Sequence, residues 1–299
     1  MSADVPALPD DRVIEAVDSG EPTRWPVLAL LRHRSLAAGL VIAGIIVLLV
    51  VVGPLFISAD PNLQDPTQSF APPSADHLMG ADAFGRDMVA RVLYGGRTTI
   101  LASISVVALG AVAGTTLGLI AGYAGGAARF AIMRLVDLML AFPGILLALA
   151  VSAVLGPGLI NGVFAIAVVL TPIYARLVEG ATAEVRHLPY VDASVTLGAG
   201  APRIIVRHIL PNVSPGIIVL TTTWLGIAVL WIAALGFIGV GVQPPLPEWG
   251  AILNDGQNYI TLAWWITVFP GVFLALLVIG VNLIGDGLRD QLDPTLARL

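Results

Sequence analysis

The sequence predicts an all-α, polytopic membrane protein with six transmembrane helices, and three observations carry that expectation. The 299 residues are 57% hydrophobic and only 12% charged, with a mean hydropathy of +0.90. A soluble domain has about 45–50% apolar and about 25% charged residues. Apolar runs of roughly 20 residues, the length a helix needs to cross a bilayer core, recur six times, at about 36–57, 98–121, 135–155, 160–178, 213–240 and 264–284. The third observation is the placement of arginine. If the N-terminus is cytoplasmic, twelve of the fifteen arginines fall on the inner side and only Arg86, Arg91 and Arg97 on the outer. The positive-inside rule favours that orientation, with both termini in the cytoplasm.

The first 23 residues are acidic and polar (Asp4, Asp10, Asp11, Glu15, Asp18, Glu21). They lack the basic and then apolar order of a cleavable leader. Residues 1–34 therefore read as a cytoplasmic tail with an interfacial segment, closed by Arg32, His33 and Arg34 beside the first span. Residues 35–296 form one transmembrane domain, and 297–299 end the chain in the cytoplasm. An outer loop at about 58–97 ends in an amphipathic stretch, where Met88, Val89, Val92 and Leu93 oppose Arg86, Asp87 and Arg91 at helical spacing. A second outer loop covers about 241–263.

In the second span Gly110, Gly114, Gly118 and Gly122 recur every four residues. They lay a flat strip on one helix face that lets a neighbouring backbone come close. The neighbour is either another helix of the chain or a second subunit. Pro143 and Pro172 should kink the third and fourth spans. Ser103, Ser105, Thr115, Thr116, Thr171, Thr221, Thr222 and Thr223 are polar residues within spans, expected to bond back to their own helices. The middles of the spans carry no ionisable residue, whereas an ion-coupled carrier needs a buried carboxylate or histidine relay.

The chain has no cysteine and no lysine, which excludes disulfides, thiolate chemistry, a P-loop and a Schiff-base mechanism. If ATP is used, another subunit hydrolyses it. His33, His77, His187 and His208 lie in separate segments and do not read as a shared metal site. No catalytic, cofactor or metal residue is expected in this chain.

The longest inner connection, about 179–212, reads as helix–turn–helix over about 186–211. Pro189 opens a first helix, Gly198 and Gly200 stop it, and Pro202 opens a second that ends before Pro211. Tyr190, Ala193, Ser194 and Leu197 form a stripe with small residues at its middle, the shape of a helix that seats in a groove. A hairpin that caps its own bundle would show the same pattern.

Asp192-Ala193-Ser194, Gly198 and Ile209-Leu210-Pro211 resemble the cytoplasmic Glu-Ala-Ala signature of ABC-importer permeases. Further segments resemble the second, C-type subunit of the dipeptide/oligopeptide/nickel branch. They include His77 to Asp87, Tyr94 to Arg97, Ala141-Phe142-Pro143, Gly239 to Pro245, Pro247-Glu248-Trp249-Gly250, and Asn282 to Asp290. The resemblance covers about residues 30–296. It implies a type I ABC-importer permease fold in the cytoplasmic membrane, moving short peptides, with nickel import as the family's alternative and an ion-coupled carrier as the alternative outside it.

The resemblance further implies a coupling helix whose residues Tyr190, Asp192, Ala193, Ser194, Leu197, Gly198 and Arg203 dock an ATPase. Asp82, Arg86, Asp87, Glu248 and Trp249 are the expected docking points for an external substrate-binding protein. The implied partners are a homologous second permease, two cytoplasmic ATPase subunits or domains carrying ATP and Mg2+, the binding protein, and membrane lipid; nucleic acid is not among them. The sequence departs from the family at Asp192 and Ser194, which replace the usual Glu and second Ala. It also has Ile232 where many relatives carry a Glu.

Overall fold

The structure, a computed structural model, describes residues 34–57 and 59–292. The expected tail through residue 33 and the C-terminal end at 297–299 lie outside the described residues. Ten α-helices order the described chain: α1 (Arg34–Val52), α2 (Met88–Ala124), α3 (Gly126–Leu140), α4 (Gly144–Leu155), α5 (Leu159–Val185), α6 (Pro189–Thr196), α7 (Ala201–Ile204), α8 (Leu210–Ile238), α9 (Trp249–Gly256) and α10 (Trp265–Leu292). Five helical segments are long and apolar enough to cross a membrane: α1, α2, α5, α7 with α8, and α10. The pair α3–α4 makes a sixth if counted as one span, although its halves meet at 97°.

The kink expected at Pro143 in the third span is thus a sharp break between two helices. Pro143 has no N–H to give to a preceding turn and disfavours the helical region for Phe142. The first half therefore ends at Leu140, Pro143 is extended (ψ 125°), and a new helix starts at Gly144. Pro172, expected to kink the next span, lies inside an uninterrupted α5.

The expected amphipathic stretch and second span are one helix. The Asp87 carboxylate accepts from Ala90 N at 2.9 Å, capping α2 so that it runs unbroken for 37 residues. Arg97 extends from α2 to cap the end of α1, donating to the Val50 and Val51 carbonyls at 3.0 and 2.6 Å. These are carbonyls that a helix end otherwise leaves unpaired.

The glycine row in α2 meets a helix of the same chain. A Cβ on Gly110 would lie 2.6 Å from Leu170 Cβ, on Gly114 2.5 Å from Tyr174 Cβ, on Gly118 2.7 Å from Val178 Cβ, and on Gly122 2.6 Å from Thr182 Cβ. Both series ascend together, so α2 and α5 run parallel in contact over four turns. A second close approach joins α1 to α10, where Gly39 faces Gly280 and Ile284, and Gly287 faces Leu36. Of the polar residues inside the spans, Ser103, Ser105, Thr116, Thr171, Thr222 and Thr223 donate to carbonyls three or four residues back. Thr221 instead accepts from the Tyr174 hydroxyl at 3.1 Å.

Two substitutions separate close packing from helix propensity. Gly114→Ala should cost about 1–3 kcal/mol through overpacking, because its Cβ would meet the α5 backbone. Gly44→Ala, with nothing within 4 Å of its Cβ, should gain about 0.5–1 kcal/mol from propensity alone. Melting temperatures of the purified variants in detergent check both signs.

Candidate functional site

At one end of the bundle, α6 and α7 form the hairpin that the sequence anticipates. Leu188 is extended and Pro189 opens α6. Asp192 lies in the first turn, where a carboxylate suits the helix dipole. The stop is a Schellman arrangement: Gly198 N donates to Val195 O at 2.9 Å and Ala199 N to Ser194 O at 3.1 Å. Gly198 has φ +82°, and a Cβ there would meet nothing within 4 Å. Its requirement is therefore conformational and not one of space.

The two faces of α6 do different things. Val191 is buried with Ile204, Ile209 and Val213 against Leu119 of α2 and Val178 of α5. Each such side chain contributes about 1.5–3 kcal/mol on burial, enough to hold a short helix in place. Ser194 is half-buried, bonds the Tyr190 carbonyl at 2.8 Å and lies 3.4 Å from His208 Nε2. Tyr190, Ala193 and Leu197 point outward, with Leu197 88% exposed, and Asp192, Gly198 and Arg203 are exposed beside them. The hairpin thus presents a shallow apolar ridge flanked by one charge of each sign. Sequence reasoning missed Val191 as its anchor; the two-sided pattern of a single short helix does not say which side is the seat.

The second arm corrects an expectation. It does not end before Pro211 but passes through a π-helical turn, Ile205–Ile209, directly into α8. The wider turn shifts the bonding register, with Leu210 N reaching Ile205 O. Ahead of a proline that cannot donate, this keeps the helix continuous. Asn212 Nδ2 then bonds the His208 carbonyl at 2.5 Å.

Beside the hairpin, α3 is fixed to α5 by two ion pairs, Arg129–Glu179 at 2.5 Å and Arg176–Asp137. Glu179 is buried. It belongs to a helix that continues past the expected end of the fourth span at 178, so an ionisable residue does lie inside this helix.

The opposite end overturns most of the expected binding-protein contacts. Residues 70–88 fold into a knot in which Asp82 accepts from Phe84 N, Arg86 N and Arg86 Nε at 2.9, 3.0 and 2.5 Å. Arg91 approaches the same carboxylate at 3.4 Å. Asp255 lies 3.5 and 3.6 Å from the two guanidiniums; burial pushes its carboxyl up, against the lowering effect of Arg91 and Arg86. Asp82 and Arg86 are 3% and 4% exposed, and Glu248 and Trp249 are fully buried. None of these four side chains can reach a docked protein. Asp87, half-buried and paired with His77 at 3.0 Å, is the one of the five with an accessible edge.

Their burial has a packing cause. The Glu248-Trp249-Gly250 segment wedges between Gly95-Gly96 of α2 and Ala233 and Gly236 of α8. Trp249 Nε1 donates to Val92 O at 2.8 Å. The Glu248 carboxylate caps α9 by accepting from Ala251 N at 3.0 Å and takes the Thr99 hydroxyl at 2.8 Å. The histidines are not brought together: His77 is at this end, and His187 and His208 are at the hairpin end. His33 lies outside the described residues.

The family described as the binding-protein-dependent transport system inner membrane component matches residues 114–298, and the N-terminal transmembrane domain of oligopeptide transport permease C matches 27–73. The chain belongs to this permease family, in its C-type branch. It is 43% identical over 273 residues to a dipeptide transport system permease of Alkalihalophilus pseudofirmus, covering 91% of this chain and 90% of the relative. It is 44% identical over 254 residues to a probable D,D-dipeptide permease of Escherichia coli, covering 85% of each. Among solved structures, the inward-facing MetNI methionine ABC transporter superposes with a TM-score of 0.54 at 22% identity, over 69% of this chain and 97% of that one. The fold is that of type I importer permeases, and the protein is a multi-pass membrane subunit.

Burial is the main influence on the Glu248 carboxyl and pushes it above the usual carboxylate range, against the lowering effect of its hydrogen bonds. The sign follows from a raised folded value. The group's contribution to stability is fully present below the unfolded carboxylate value and is lost as pH rises through the raised folded one. Glu248→Gln should remove that slope. Melting curves in detergent from pH 4.5 to 8 are expected to lie together for the two proteins at the acid end, with the wild type falling below the variant as pH rises, and parallel curves would contradict the assignment.

Proposed function

We propose that this permease subunit moves short peptides inward across the cytoplasmic membrane, driven by ATP and Mg2+ in separate ATPase subunits. In this reading each chain pairs with a homologous second permease, and a substrate-binding protein delivers peptide on the outer face. Both termini and the hairpin are cytoplasmic, in keeping with the arginine bias of the loops. The names of the dipeptide relatives support peptide as cargo, and none of the relatives named above is a nickel permease.

One observation carries the coupling. The ridge of Tyr190, Ala193 and Leu197 faces away from the protein while the other arm of the same hairpin continues into α8. An ATPase that grips the ridge would pull on a membrane-spanning helix through the short Leu197–Gly200 turn alone. Closure of the ATPases would then bias the subunit between two states. Asp192 supplies the acidic group of the family signature on a shorter arm.

Uptake of labelled dipeptide into vesicles holding the whole complex is expected to require hydrolysis. Uptake that persists with a catalytically dead ATPase and follows an ion gradient would overturn the mechanism, and uptake of Ni2+ without dipeptide would overturn the cargo. Gly198→Val should uncouple the machine. A β-branched residue at positive φ costs about 1–3 kcal/mol, which lowers the seated hairpin population roughly tenfold. Gly198→Asn, which tolerates that conformation, should keep most of the uptake. Equal uptake by both variants would count against the hairpin as the lever.

A further inference from the structure

Most polar groups in the spans described above have a partner within the protein; three exposed ones on α10 have none among the described residues. Asn282, Asp286 and Arg289 are spaced four and three residues apart, which places them on one stripe of the helix. All three are exposed, and none has a hydrogen-bond or ion-pair partner among the described residues. Asn282 lies 17 residues into a helix that starts at the Trp264–Trp265 pair. At 1.5 Å per residue it is about 26 Å along the span, within the thickness of the hydrocarbon. An amide facing lipid at that depth, with Asp286 and Arg289 about 6 and 10 Å further along at the edge of the core, is costly, and such residues typically face water or other protein.

The surroundings favour water. Neighbouring sides of α10 are occupied: Gly280, Ile284 and Gly287 pack on α1, Gly285 lies on Thr222 of α8, and the Asn282 amide rests over Gly226 of α8 with its outer edge exposed. Next to the stripe a groove of about 410 Å³ opens between α5, α8 and α10, lined by Leu177, Pro215, Gly216, Val219, Thr223 and Arg289. A seam between subunits would be closely packed; this surface is hollow. We propose that the stripe and groove form the hairpin-side wall of the translocation path, along which a short peptide leaves. The Asn282 amide both donates and accepts and so suits a peptide main chain. Arg289 suits a terminal carboxylate, and Asp286 a terminal ammonium. Such a wall reads the backbone and ends of the cargo and is indifferent to its side chains. The inference rests on the permease reading above and assigns residues to it.

The absence of cysteine makes the native sequence its own background for labelling. Asn282→Cys, Asp286→Cys and Thr223→Cys are introduced singly, with Val41→Cys and Leu48→Cys on the exposed face of α1 as lipid-facing controls. The full complex, with cysteine-free partner subunits, is treated in vesicles with a membrane-impermeant maleimide from the hairpin side. The stripe cysteines should label at least about tenfold faster than the controls, because a thiol in hydrocarbon ionises poorly. Labelling no faster than the controls would overturn the proposal, as would crosslinking of the stripe to the second permease in place of labelling. Dipeptide uptake by the unsubstituted complex is read in parallel. Uptake without stripe labelling removes this inference alone, whereas absent uptake removes the permease reading beneath it. Should cysteine variants fail to assemble, Asn282→Leu should lower uptake about fivefold, the worth of roughly one hydrogen bond, and Asn282→Gln should restore most of it. Wild-type uptake with leucine would overturn the proposal.

Discussion

Four glycines in α2 set how near α5 can come, and that distance governs the hairpin end of the molecule. Because Gly110, Gly114, Gly118 and Gly122 carry no side chain, Leu170, Tyr174, Val178 and Thr182 lie directly against the α2 backbone. In a membrane, where lipid is as apolar as the helices, such close van der Waals contact is a principal source of association. The ends of the two helices then supply Leu119 and Val178 side by side as a seat for Val191, Ile204 and Ile209. The ion pairs of α3 are made to the same α5 surface. A lever works only if its mounting is stiff, and the glycine contact is the mounting.

The other end depends on a different close approach. Gly95 and Gly96 on α2 and Gly236 on α8 leave the gap into which Glu248, Trp249 and Gly250 are driven. The buried carboxylate at that point caps a short helix and holds Thr99, so that α9 ties together helices remote in sequence. The two Arg and two Asp residues of the neighbouring knot work in the same way. Removing one partner of such a buried pair is costly, of the order of 3–5 kcal/mol.

What was legible in the sequence was local. Apolar length found the spans, and proline and glycine chemistry found the start of α6 and its stop at Gly198. Pro143 marked the place of a break, although not its sharpness, because a proline fixes where a helix stops and not the direction in which the next one leaves. What was not legible was long-range. Asp82, Arg86, Glu248 and Trp249 read as exposed loop residues since charged turns usually are; their burial requires segments about 150 residues apart, such as Thr99 and Glu248, to meet. The end of the second hairpin arm was misplaced for a related reason. Proline at 211 is a stop signal in an ordinary α-helix, and only the register shift before it cancels the stop.

That register shift has a geometric consequence. A single π-turn acts like one residue inserted into an α-helix, and each residue turns the helix by about 100°. The fifth span is therefore rotated by about that angle relative to the arm preceding it. Ile204 and Ile209 can lie in the seat under the hairpin while Val213 returns to the same core and Asn212 turns outward. Were residues 205–209 to tighten into ordinary helix, the long shaft would have to twist about its own axis or the hairpin would have to lift. The turn is thus the point where rotation of one part can be exchanged for displacement of the other.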